Sequence, residues 1–327
     1  MEQIEITGSE PEEVDYNLIL KSCVVDLDKK PKPLDVLVYY GYDDTNKRVP
    51  ALTRGEFSCI VAQSKTKKSF NKSLIEACFL KGRSDLYSDH IKSNSKSDGY
   101  IISVDTEQGE FYAHKTFDRT RRISQVKNDK YIPLQMRKLG IEKRLDLIEY
   151  IVYESEYAGK IDLLVIDGIA DLVYNTNEIK EGVLIAERLL KWSSEGNLHL
   201  ITVIHKTGSS DKARGHLGTA IQFKAETIIL MDSLTDEQGN YIKNAQGEEE
   251  RNTVKVRCGM SRGKNFNPFY LRVDSDGLPF TFDDADNPEH PKDEFKQFEE
   301  SKPLPMGTTE EAFKKEQDKK FDEECPF

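Results

Sequence analysis

A set of short segments in this chain is almost wholly apolar, and this restricts the fold more than any other feature. They run Phe57–Ala62, Tyr100–Asp105, Asp162–Asp167, Leu198–His205, Thr227–Asp232, Thr253–Cys258 and Phe269–Val273. A strand that is apolar on both faces has to be covered on both faces, because a bare side leaves hydrocarbon in water. Amphipathic helical patterns at Ser69–Leu80, Glu110–Ile123, Arg144–Tyr157 and Ile179–Ser194 supply the covers. The alternation predicts an α/β fold: a mostly parallel central sheet with helices on both faces. The last strands follow one another through hairpin-like turns, Asp236-Glu237-Gln238-Gly239-Asn240 among them. An antiparallel extension is therefore expected on the far side of the sheet.

The rest of the chain frames this core. Residues 1–15 are acidic, contain Pro11 and lack periodicity. They read as a disordered N-terminus and not as a signal peptide. Residues 17–54 read as an irregular lead-in with Pro31, Pro33 and Pro50. Its tyrosines, Tyr39, Tyr40 and Tyr42, fit packing at a domain edge, with stacking on a base as the alternative. From Asp283 to Phe327 there are 15 acidic and 7 basic residues, so this stretch carries −8 of the formal charge of −11. It reads as a disordered acidic tail. The body then carries −3, mildly acidic, which is compatible with a locally basic site. The expected organisation is a disordered N-terminus (1–15), one catalytic domain (16–282) and the tail (283–327).

No run of 18 apolar residues occurs, so no membrane span is expected. The five cysteines are scattered without a CxxC pair. That argues for reduced thiols and a cytoplasmic protein, and against a disulfide framework or a zinc site.

The chemistry starts at Ile60–Phe70, IVAQSKTKKSF. An apolar strand runs into a polar loop that ends in Lys68-Ser69, where a helix begins. That is how a phosphate loop is built: backbone N–H groups form an anion nest and the final lysine neutralises phosphate charge. The usual pattern is G-x-x-x-x-G-K-[ST]. Here Ala62 and Lys67 hold the two glycine positions, with Gln63, Ser64, Lys65 and Thr66 between them. Ser69 would hold Mg²⁺ through its hydroxyl. The competing reading is a basic surface turn before a helix.

Four further elements follow in order. Ile161–Leu172 is an apolar strand ending in Asp167, a carboxylate placed to reach a phosphate-bound Mg²⁺. Ile101–Gln108 is a strand ending in acids, where Glu107 could orient or deprotonate a water. Asp105 competes with it, since one of the two could be only a helix cap. The strand ending in His205 offers a hydrogen bond to a terminal phosphate. The loop after it carries Lys206, Lys212 and Arg214 and suits phosphate-backbone contact or, as the plainer reading, solvent. Arg262 and Lys264 lie on a turn between two late strands, either as a plain basic turn or as a source of charge for a neighbouring subunit's nucleotide.

In this order and spacing the five elements resemble the RecA-like P-loop ATPases, and within them the branch of RepA-type replicative helicases and related ATPases of plasmids, phages and mobile elements. The resemblance spans roughly Pro33 to Val273. It implies a RecA-like P-loop NTPase fold and ATP and Mg²⁺ as ligands. It also implies Lys68 and Ser69 as the Walker A pair, Asp167 as the Walker B acid and Glu107 as the catalytic glutamate. His205 would be the sensor, and Arg262 a finger acting in trans within a ring or filament of copies. Single-stranded DNA is the implied partner.

The last residues, FDEECPF (Phe321–Phe327), resemble the acidic tip of bacterial single-stranded-DNA-binding proteins. Docking onto host replication proteins, a solubilising tail, and occupancy of the chain's own DNA site are the open readings. Two functions follow. One is an ATP-driven motor or switch on DNA. The other is a slow or inactive ATPase that loads a replication partner through its tail. A small-molecule kinase would need a lid and an acceptor pocket that the sequence does not locate.

Overall fold

The computed structural model describes residues 15–283, apart from 31, 95, 127, 128, 208, 209 and 244–246. The readings on 1–14, on 284–327 and on the Phe321–Phe327 terminus lie outside the described residues. The chain forms two units, one ending at Leu34 and one beginning at Asp35. In the first, Asp15 caps the helix α1 (Tyr16–Cys23) by accepting from the amides of Asn17 and Leu18 at 2.9 and 3.1 Å. This satisfies two donors that a helix start leaves open.

In the second unit the chain runs through β1 (Val36–Tyr42), β2 (Arg48–Thr53), β3 (Phe57–Ala62), α2 (Lys68–Leu80), β4 (Ile91–Ser93), β5 (Tyr100–Asp105) and α3 (Glu110–Ser124). It continues through β6 (Tyr131–Gln135), α4 (Ile141–Tyr153), β7 (Ile161–Asp167), α5 (Ile179–Glu195), β8 (His199–His205) and α6 (Gly215–Lys224). It ends with β9 (Thr227–Ser233), β10 (Thr253–Ser261), β11 (Phe269–Val273) and β12 (Pro279–Phe282). The large sheet has the order β12-β11-β10-β9-β3-β8-β7-β5-β6. From β9 to β6 every neighbouring pair is parallel, and from β9 to β12 every pair is antiparallel. The α/β class, the parallel centre and the antiparallel flank are as the apolar runs require.

Successive side chains of a strand face opposite ways, and β3 shows the consequence. Ile60 and Ala62 join a core with Leu74, Ile75 and Phe79 of α2 and Phe117 of α3. Phe57, Cys59 and Val61 join another with Leu145 of α4, Leu189 and Trp192 of α5 and Leu217 of α6. Trp192 and Leu189 are fully buried, and each such side chain contributes about 2–3 kcal/mol of hydrophobic stabilisation. So α2 and α3 cover one face, and α4, α5 and α6 cover the other.

This division places a crevice. From β3 the chain passes over β8 and β7 to β5 and then β6, with its helices on the first face. It returns through β7 and β8 to β9 with its helices on the second. The neighbours β3 and β8 therefore send their chains to opposite faces. Beyond the C-terminal ends of such a pair an open parallel sheet has its ligand-binding crevice.

Two elements depart from the sequence pattern. Segment 17–54 is not irregular: besides α1 it holds β1 and β2, which form a small antiparallel sheet with β4. Its prolines do not prevent this, because Pro50 sits in the edge strand β2. Tyr40 is fully buried there and donates to Asn71 Oδ1 at 2.8 Å, a packing role. The loop that carries Lys206, Lys212 and Arg214 ends at Arg214, and the chain is helical from Gly215. Glycines make α6 a poor helix by propensity. Packing against α5 overrides this: a β-carbon on Gly182 of α5 would stand 3.0 Å from the Leu217 backbone, so glycine permits the close approach. Pro133 lies in β6 and Pro279 opens β12, the two outer strands of the large sheet.

Candidate functional site

Ala62 ends β3 and Lys68 begins α2, so the chain must reverse within the residues between. It does so with Lys65 at φ 65° and Lys67 at φ 54°. Left-handed backbone costs a residue with a β-carbon about 1–2 kcal/mol. Lys67 thus adopts the conformation for which a glycine is the usual choice. No side chain caps α2, so its first amides are open, and a helix N-terminus of this kind favours negative charge. Gln63, Ser64 and Lys65 are exposed, while Lys67, Lys68 and Ser69 are half-buried. Thr66 is buried, and its hydroxyl has no partner among the described residues.

Parallel pairing sets Ala62 beside His205 at the tips of β3 and β8. Lys68 Nζ donates to the carbonyl of Gln63 at 2.8 Å and lies 3.1 Å from His205 Nδ1. Ser64 Oγ is 3.3 Å from the same nitrogen. An ammonium cannot accept, so Nδ1 is the acceptor and the imidazole proton sits on Nε2. Burial, then the charges of Lys68 and Arg214, push the His205 pKa below its usual value and keep the ring neutral; Asp167 opposes them. Burial also lowers the Lys68 pKa, against Asp167 and Glu107.

The tips of β5 and β7 are neighbours too, with Asp105 opposite Asp167. The two acids after β5 now separate. Asp105 is buried and turned back on its own loop. It accepts from the amides of Glu107 and Gln108 at 3.0 and 2.7 Å and from Gln108 Nε2 at 2.8 Å. Glu107 stays exposed at the crevice. Its pKa is raised by partial burial and by the charges of Asp167, Asp171 and Asp105, with Lys68 opposing. Thr106 joins the two tips. Its amide donates to the Asp167 carbonyl at 3.1 Å, and its hydroxyl lies within 3.0 Å of the carbonyls of Asp167 and Gly168 and of Asp171 Oδ2. Gly168 has φ 97°, and any β-carbon there would collide with Thr106 Oγ1.

The remaining candidates disperse. The Lys206 side chain is buried and held by Asp211 and Asp232 at 3.1 and 2.5 Å, acids it shares with Arg257. Lys212 and Arg214 are the exposed cations of that loop. Arg262 lies at the opposite, N-terminal end of β3. Its guanidinium meets both Glu56 carboxylate oxygens at 3.0 and 3.1 Å and the Lys224 carbonyl at 2.9 Å. Within one chain it is therefore remote from Lys68, and about half exposed.

One charged side chain beside Asp167 has no place in the sequence motifs. Lys72, on the turn of α2 after Lys68, is fully buried with Nζ 3.3 Å from Asp167 Oδ2. The two atoms are close enough for an ion pair, but their angles make no hydrogen bond, and neither has another hydrogen-bond partner among the described residues. The visible signal was Lys72 and Glu76 spaced i, i+4 on a helix whose other residues there are apolar or small.

The crevice thus gathers Lys68, His205, Glu107 and Asp167, with an open helix start. A phosphate fits this donor set, because the cations, the free amides and the His205 Nε2–H all favour an anion. Among the described residues no group of three or more His, Cys, Asp or Glu could hold a metal ion alone. A divalent cation would need a bound phosphate to complete its shell, and Ser69 and Asp167 are the side chains that could join it. No helix of the described residues is long and apolar enough to cross a membrane. No known family model and no curated protein matches this chain.

Proposed function

We propose that the chain is an ATP-hydrolysing, RecA-like motor or switch that acts on single-stranded DNA as an assembly of copies. One observation carries this reading: Lys68, Glu107, Asp167 and His205, spread over about 140 residues of sequence, meet at the C-terminal edge of the sheet beside the β3–β8 crevice.

Lys68 exchanges the Gln63 carbonyl for phosphate oxygen and neutralises charge there. The open amides of α2 do the same from the backbone. His205 donates its Nε2–H to the terminal phosphate. Glu107, exposed and with a raised pKa, orients a water and takes its proton. Ser69 and Asp167 would hold Mg²⁺, which when bound neutralises charge on the β- and γ-phosphates. Asp105 keeps the Glu107 backbone in place and does not touch the substrate. Lys212 and Arg214 are suited to the DNA backbone, and Arg262 to a neighbouring copy.

DNA-stimulated phosphate release, compared between the chain and Lys68→Ala, tests the proposal. Loss of release in the variant is expected, and equal release from both overturns it.

The second reading, a slow or silent ATPase that serves as a loading module, is favoured by Lys67 in a left-handed loop position. It predicts nucleotide binding that Lys68→Ala abolishes, without measurable phosphate release from either protein.

A further inference from the structure

Asp167 does not face the crevice with its whole carboxylate. Its side chain keeps 11% of its exposure, yet Oδ2 is fully buried against Lys72 Nζ. The exposed part of the carboxylate is then on the Oδ1 side. Lys72 itself has no route to solvent. It lies among Asp167, Glu76 and Asp105, whose charges all reach it, with its ammonium 5.2 Å from the centre of the Phe117 ring. Glu76 is already supplied with donors: Ser103 Oγ at 2.5 Å, Thr120 Oγ1 at 2.8 Å and Tyr131 OH at 3.0 Å. Asp105 is supplied by its own loop. Asp167 Oδ2 is a buried acid oxygen of this group with no hydrogen-bond donor among the described residues, and Lys72 stands beside it.

We infer that Lys72 is a resident cation of the crevice: a positioning residue that holds Asp167 from inside the fold, leaves one carboxylate oxygen for the ligand side, and moderates how strongly nucleotide binding depends on a divalent cation. This rests on the nucleotide reading of the crevice. The physical reason is charge. A fixed positive charge behind Asp167 favours a bare polyphosphate and opposes a second cation in front of it. Removing it has the reverse effect on both, so the two changes add in the coupling between nucleotide and metal.

The test measures binding of a non-hydrolysable ATP analogue, with Mg²⁺ and with excess EDTA, to the full chain, Lys72→Met and Lys72→Arg. The readout is the ratio of the two affinities, which needs no turnover. In Lys72→Met the ratio is expected to rise about tenfold or more. Lys72→Arg, which keeps the charge, should stay within about threefold of wild type. A double variant, Lys72→Met with Asp167→Asn, guards against misfolding, since it neutralises the carboxylate that stands against Lys72 while Glu76 and Asp105 keep their own hydrogen-bond donors, and its ratio should fall below that of Lys72→Met. If folded Lys72→Met keeps the wild-type ratio, the inference is overturned while the nucleotide reading stands. If the wild-type chain shows no saturable binding in either condition, both are overturned.

Discussion

Lys68 Nζ stands 3.1 Å from His205 Nδ1, so the lysine that ends the loop and the histidine that ends β8 are joined across the crevice. The contact requires a neutral ring. Burial and the charges of Lys68 and Arg214 place the His205 midpoint below its ordinary value of 6.5. An NMR titration of the His205 ring should show this. In Lys68→Met, one of the opposing charges is gone and the midpoint should move up. Because the folded value lies below the unfolded one, His205 withdraws stability as pH falls from about 6.5 through its folded midpoint. A midpoint that does not rise in Lys68→Met contradicts the assigned contact.

A second histidine gives a larger effect. His199 opens β8, is fully buried, and its Nδ1 lies 2.8 Å from the Thr53 carbonyl. Burial pushes its pKa down to about 4. The unfolded chain therefore binds a proton between about pH 6.5 and 4 that the folded chain refuses, and stability falls as pH drops through that window. The loss is of the order of 3 kcal/mol by pH 4. Denaturant titrations at several pH values should show a shallower fall for His199→Asn, which keeps a donor for the Thr53 carbonyl.

The assignment of the two acids after β5 separates cleanly in kinetics. Glu107→Gln should bind nucleotide but lose about 10²–10⁴-fold in turnover, the usual worth of a positioned base. The wild-type rate should climb with pH through a midpoint above the ordinary glutamate value of 4.5, since Glu107 has to be deprotonated to act. Asp105→Asn retains an oxygen for the Glu107 and Gln108 amides. Its turnover should stay within about tenfold of wild type. The opposite ranking would make Asp105 the base.

Gly168→Ala combines a left-handed backbone with a collision against Thr106 Oγ1. A loss of about 2–4 kcal/mol is expected in a urea titration. Because Thr106 joins the tips that carry Glu107 and Asp167, nucleotide affinity should fall with stability. Thr106→Ala should cost less stability in the Gly168→Ala background than in wild type, because it removes the γ-oxygen that is struck.

The strands were legible in the sequence because a twice-covered strand has to be apolar throughout. Phe57–Ala62, Tyr100–Asp105 and Phe269–Val273 have the bounds their residues announce. β6 was not, because YIPLQ is short, half-exposed and interrupted by a proline that only an edge strand tolerates. α6 was not, because its own glycines argue against a helix and the close approach that supports it rests on Gly182 of α5, which no local pattern in α6 records. In the site, Lys68, Asp167 and His205 could be read because each ends a strand or opens a helix. Lys72 could not. A charge on the covered face of a helix contradicts the pattern that identifies the helix, and its reason is a carboxylate nearly a hundred residues away. Arg262 shows the converse: its turn was read correctly, but only the sheet direction reveals that it lies at the far end of β3.

The prolines of the outer strands have a consequence for assembly. Pro50 in β2, Pro133 in β6 and Pro279 in β12 each lack an amide hydrogen, so a strand laid against any of these borders meets a missing donor. Continuing one another's backbone ladder there is disfavoured for copies of this chain. At these borders a contact between copies rests on side chains, and such a joint can open and close while every sheet remains whole.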